Sequence, residues 1–124
     1  LNGYSDACAQ ALYASGDLFL MPSSYEPCGI SQMLAMRAGQ PCVVHSVGGL
    51  RDTVHDGIDG FSFSGETVAE QVDAFADTVI GALALRREKP ERFLDIRRRA
   101  SQARFFWADT AKRYVEELYG GKGA

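Results

Sequence analysis

Residues 17–54, DLFLMPSSYEPCGISQMLAMRAGQPCVVHSVGGLRDTV, constrain the fold more than any other part of the chain. An apolar strand, Leu18-Phe19-Leu20-Met21, runs into a polar turn that holds one carboxylate, Glu26. Gly29 then opens a helix. A second strand, Cys42-Val43-Val44-His45, ends in the glycine pair Gly48-Gly49. Continuous apolar strands are the pattern of a sheet covered on both faces. Two strand ends that both open into glycine-containing loops place one site at the carboxyl edge of a parallel sheet, where open α/β sheets bind nucleotides and sugars.

The remaining pattern fits around this centre. Residues 4–15 read as a helix with Tyr4, Cys8, Ala11 and Leu12 on one stripe and Gly16 as its stop. Residues 29–38 suit a helix with Ile30, Met33, Leu34 and Met36 as apolar positions and Gly39 as the end. Asp56-Gly57 and Asp59-Gly60 mark turns before a short strand, Phe61-Ser62-Phe63. Residues 66–86 read as a long amphipathic helix burying Val68, Val72, Phe75, Val79 and Leu83. Pro90 separates it from a basic helix near 91–104, and a last helix near 108–119 carries Ala111, Tyr114, Val115 and Leu118. The expected class is α/β, with about three strands and flanking helices. A doubly wound sheet usually has five or six strands, so the chain reads as the later half of a Rossmann-like domain over 1–119, with a frayed tail at 120–124.

With 124 residues, 46% hydrophobic and 23% charged, there is material for one domain and one core. The net charge of −3 and the isoelectric point near 5.3 argue against a general nucleic-acid binder. Charge is unevenly spread. Residues 1–85 hold 2 basic and 10 acidic side chains, a net of −8, and residues 86–124 hold 11 and 6, a net of +5. The basic end is read as a solvated helix face. Cys8, Cys28 and Cys42 are odd in number and lack CxxC spacing, so a reducing cytoplasm is expected. No apolar run approaches the ~18 residues of a membrane span. The absence of an initiator Met leads us to expect a piece of a longer protein.

At residues 22–31, a helix start offers unpaired N–H groups and about half a positive charge. Gly29 lets backbone approach a phosphate, Ser31 adds a hydroxyl donor, and Glu26 can accept hydrogen bonds from sugar hydroxyls. A phosphorylated sugar suits that pair of features, and an ordinary helix cap beside a solvated Glu is the competing reading. Gly48-Gly49 can bring N–H groups into a cleft or form a plain turn. Asp52, His45 and His55 are read as structural or solvent-facing, with no metal cluster around them. Phe105-Phe106-Trp107 is read as core.

PSSYEPCGISQ and VGGLRDTVHDGIDGF together resemble the bacterial glycogen synthase and plant starch synthase family, whose patterns are close to PSRFEPCGLTQ and TGGLADTV. FFWADTAKRYVEELY is similar to the closing helix of that family, and the resemblance runs in register over nearly all 124 residues. It implies a GT-B fold of two Rossmann-like domains, with this chain in the later part of the second. It also implies transfer of glucose from ADP-glucose to an α-1,4-glucan, with retention and without metal or cofactor. Carried over by position, Glu26 would bind the donor glucose hydroxyls, and Cys28 and Gly29 would line the sugar pocket. The Ile30 backbone and Ser31 would hold the distal phosphate, Tyr4 would stack on adenine, and Gly48 and Gly49 would close the cleft wall.

The departures are Ser24 for Arg and Val47 for Thr. Leu34 stands where the wider superfamily has a second Glu, which favours the glucan-synthase branch. The basic pair that neutralises the leaving diphosphate would lie before residue 1, and the acceptor site in the first domain. The isolated chain is therefore expected to bind a nucleotide sugar weakly and to turn nothing over. The alternatives are a retaining glycosyltransferase with another acceptor, or a non-catalytic nucleotide-binding or assembly module. Strand 18–21 would be an unfinished edge with no charge, Pro or bulge to discourage pairing, so self-association is expected of the isolated chain.

Overall fold

The computed structural model describes residues 2, 3 and 5–120; Tyr4 and residues 121–124 of the expected 120–124 tail lie outside the described residues. Helix α1, Asp6–Ser15, is capped by Ser5, whose Oγ accepts the Cys8 N–H at 3.3 Å. Strands β1 (Phe19–Met21), β2 (Cys42–His45) and β3 (Phe61–Phe63) form one parallel sheet in the order β1-β2-β3. Phe19 is in register with Cys42, and Val43 with Phe61. Helix α2, Ser31–Arg37, connects β1 to β2 and ends at Gly39, whose φ of +77° suits glycine. This is the predicted parallel three-stranded sheet with flanking helices.

β2 is buried along its whole length, and its alternation divides the core. Cys42 and Val44 pack with Ala35, Met36, Leu50 and Val54 on one face. Val43 packs with Phe61, Phe63, Ala82, Phe93 and Ile96 on the other. Each of the larger buried side chains among these contributes roughly 1.5–3 kcal/mol, so the middle strand holds both layers together. Helices α4 (Val68–Glu88) and α5 (Pro90–Gln102) cover the second face. Pro90 is the first residue of α5, where its missing N–H costs nothing. Two arginines tie α5 down: Arg97 donates to the Gly39 carbonyl at 2.9 Å and Arg92 to that of Gly57 at 2.8 Å.

Several expected faces are wrong. In α1, Leu12 is exposed and Tyr13 packs instead on Phe19, with ring centroids 5.7 Å apart. In α4, Val68, Val72 and Leu83 are exposed, and the inward stripe runs through Phe75, Val79 and Ala82. That helix has 21 residues, about 30 Å, against roughly 10 Å for the three-residue β3, so its apolar stripe overhangs the sheet. At α2, the N-cap residue Ile30 and Leu34 are exposed, and the buried face is Gln32, Ala35 and Met36. Phe105, Phe106 and Trp107 are exposed, not core. Helix α6, Trp107–Tyr114, and the π-helical turn Val115–Tyr119 that follows it bury no residue. Gly48-Gly49 is not a loop: a short helix, α3, spans Gly48–Thr53.

Candidate functional site

The site is built where β1 and β2 end on the same edge of the sheet. β1 delivers the loop 22–30, and β2 delivers the short connection to α3. The loop lies on α3. Gly49 N–H donates to the Glu26 carbonyl at 3.1 Å. A Cβ at Gly48 would overlap the Glu26 carbonyl oxygen, and one at Gly49 would overlap that of Cys28. The glycine pair is therefore needed for close packing of backbone on backbone, and Gly48 also has a φ of +45°.

The candidate residues singled out in the sequence lie along this edge. Glu26 is half-buried. Among the described residues neither its carboxylate nor the Ser31 hydroxyl has a hydrogen-bond or ion-pair partner. Among the described residues no side chain caps the start of α2, and Ile30, its N-cap residue, is 68% exposed. Free N–H groups and an unpaired carboxylate thus border one edge, able to receive an anion and to accept from hydroxyls. Cys28 is exposed beside them. The structure brings Glu26, Cys28, Gly29, Ile30, Ser31, Gly48 and Gly49 into this one region, while Tyr4 is outside the described residues.

Gly29 has a different reason for being glycine than the one read from the sequence. Its φ is +75°, and a Cβ there would run into the Gln32 side chain, not into open space for a ligand. Asp52 is exposed, 3.9 Å from Arg51. His55 and Asp59 instead close the turn before β3, with Nδ1 2.9 Å from Oδ2. A groove of about 410 Å³ lies away from this edge, between α4 and α5, lined by Leu83, Arg86, Phe93 and Arg97. Its arginines are engaged within the chain: Arg86 pairs with Asp17 at 3.0 Å, and Arg97 holds the Gly39 carbonyl.

Gln32 and Thr53 escape a reading of the sequence, and His45, read as structural or solvent-facing, is structural. Gln32 is fully buried, and its Nε2 lies 3.1 Å from the Cys28 carbonyl, 3.0 Å from that of Gly29 and 3.2 Å from Thr53 Oγ1. Thr53 in turn donates to the Gly49 carbonyl at 2.6 Å. His45, buried and stacked 5.1 Å from Phe63, has Nδ1 3.3 Å from the Ser23 carbonyl. An amide standing on the buried stripe of α2 was the one available signal.

The fold and this edge define one class: the later half of a Rossmann-like, nucleotide-binding type of domain, open at the carboxyl ends of its strands. The family model for glycosyl transferases group 1 matches residues 1–84. The chain is 44% identical over 120 residues to the glycogen synthase of Syntrophotalea carbinolica, covering 92% of this chain and 24% of that protein. It is 40% identical over 123 residues to the glycogen synthase of Moorella thermoacetica, covering 94% of this chain and 24% of that one. Among solved structures, it superposes on the catalytic domain of starch synthase IV from Arabidopsis thaliana, bound to ADP and acarbose. There the TM-score is 0.80, with 31% identity over 97% of this chain and 25% of the other. The chain belongs to the group 1 glycosyltransferases, within the glycogen and starch synthase superfamily of GT-B fold. It spans about a quarter of the length of the curated relatives it matches.

Proposed function

We propose that this chain is the donor-sugar-binding part of a retaining glycosyltransferase of the glycogen and starch synthase type. In this reading a longer, cytoplasmic parent transfers glucose from ADP-glucose to an α-1,4-glucan. Residues 1–119 form part of its second domain, and the acceptor is bound through a first domain elsewhere in the parent. The observation that carries the reading is the uncapped start of α2 beside the unpaired carboxylate of Glu26, on the sheet edge where this fold binds ligands.

This reading gives each residue a role. Glu26 accepts hydrogen bonds from the donor glucose. Cys28 and Gly29 line the sugar pocket, and the Ile30 backbone with the Ser31 hydroxyl holds the distal phosphate. Gly48 and Gly49 form the wall on which the loop rests, and Tyr4 stacks on the base. Charge developing on the leaving diphosphate needs cationic donors, because electrostatic stabilisation is the largest single term in most such reactions. These 124 residues alone accordingly bind donor without turnover.

The test uses the full-length protein. Glu26→Ala is expected to lose activity by orders of magnitude with little change in melting temperature, and near-wild-type turnover sinks the assignment. Competition between ADP-glucose and UDP-glucose identifies the donor; preference for the uridine nucleotide rejects the ADP-glucose reading.

A further inference from the structure

We propose that Gln32, backed by Thr53, is the positioning residue for the segment that carries Glu26. This rests on the reading of Glu26 as a donor ligand. Four carbonyls of the segment 23–29 are pinned by donors from outside it. His45 Nδ1 holds Ser23, the Gly49 N–H holds Glu26, and Gln32 Nε2 holds both Cys28 and Gly29. The last pair is the informative one. Two carbonyl oxygens within 3.0 and 3.1 Å of one nitrogen must converge, and their dipoles repel unless a donor lies between them. Gln32 supplies that donor from a fully buried position.

The amide orientation is fixed by the same contacts. Turned over, Oε1 would face two carbonyls; as placed, it has no partner among the described residues and occupies the space that a Cβ at Gly29 would need. Nε2 also meets Thr53 Oγ1, whose own proton goes to the Gly49 carbonyl. One relay therefore joins α2, the Glu26 loop and α3, and it ties the PSSYEPCGISQ and GGLRDT segments into a single unit. Gln32 touches the loop and acts on substrate only through it.

The experiment compares Gln32→Leu, Thr53→Val and Thr53→Ser in the full-length enzyme, with Glu26→Ala beside them. Gln32→Leu is expected to lower kcat/KM for ADP-glucose roughly ten- to a hundredfold per folded molecule, as misplacement of a binding group does. KM for the glucan acceptor stays unchanged. Thr53→Val shows the same direction, and Thr53→Ser, which keeps the hydroxyl, recovers most of the rate. Amide exchange quickens at 23–30 and at Gly49 while the rest of the domain keeps its protection. Where Gln32→Leu does not fold, Thr53→Val carries both measurements. Unchanged exchange at 23–30 overturns the proposal whatever Glu26 does. Wild-type kcat/KM in Gln32→Leu while Glu26→Ala is inactive also overturns it. An active Glu26→Ala rejects the reading of Glu26 instead.

Discussion

Cys42 and Cys28 are the same side chain in opposite surroundings. Cys28 is exposed on the loop, whereas Cys42 has no exposure and lies 3.5 Å from the Gln32 carbonyl. Burial first, and the nearby Asp59 charge second, push its thiol from an ordinary 9.0 up to about 12. An unfolded chain therefore releases this proton near pH 9.0, and the folded chain holds it until about 12. Between those limits the folded state binds more protons, so its stability falls as pH rises through the window. Urea unfolding at several alkaline pH values should show a shallower decline for Cys42→Ala than for the parent sequence. Equal slopes would reject Cys42 as the source. Alkylation at neutral pH should modify Cys28 and leave Cys42 intact until the chain unfolds, because the thiolate is the reactive species.

At the scale of elements, helix α4 starts where its capping box puts it. Thr67 Oγ1 accepts the Glu70 N–H at 3.2 Å, and Glu70 Oε2 accepts the Thr67 N–H at 3.2 Å and that of Glu66 at 2.8 Å. Thr67→Ala should cost about 1 kcal/mol, read as a lower urea midpoint at unchanged slope. No shift in midpoint would mean that the helix start is held by packing alone. This box is visible in the sequence, and it places the start at Val68, not at 66. Periodicity likewise predicts eight of the helices and strands near their observed places. It fails on faces, because strands of three or four residues cannot cover a 21-residue helix. It also misses α3, because two glycines at a helix start read as a turn; the weight of the Glu26 loop on their bare α-carbons is a tertiary fact. The site divides in the same way. Glu26, Gly29 and Ser31 stand in one local pattern that a reading of the sequence can single out, though the contact of Gly29 with Gln32 is not part of it. Gln32 reaches Thr53 across 21 residues and His45 reaches Ser23 across 22, separations that no local pattern encodes.

For the whole molecule, the question is what its open surfaces do when these residues stand alone. β1 is an edge of the sheet among the described residues, and Leu20 on it is 48% exposed. Its sequence, Phe19-Leu20-Met21, has no charge or proline, the usual devices against edge-to-edge pairing. Trp107, Tyr114, Val115 and Leu118 add a second exposed apolar stretch on α6 and the turn after it. Apolar surface of this kind drives association when nothing covers it. The 124 residues expressed alone should therefore self-associate as concentration rises, measured by light scattering. Leu20→Lys should shift the species toward monomer if the strand edge is the contact, because a lysine on an edge strand opposes pairing. Leu118→Asp should do so if the terminal helix is the contact, so the two variants separate the surfaces. A parent chain that stays monomeric at high concentration, with fast amide exchange along 18–21, would show that an unpaired β1 is tolerated.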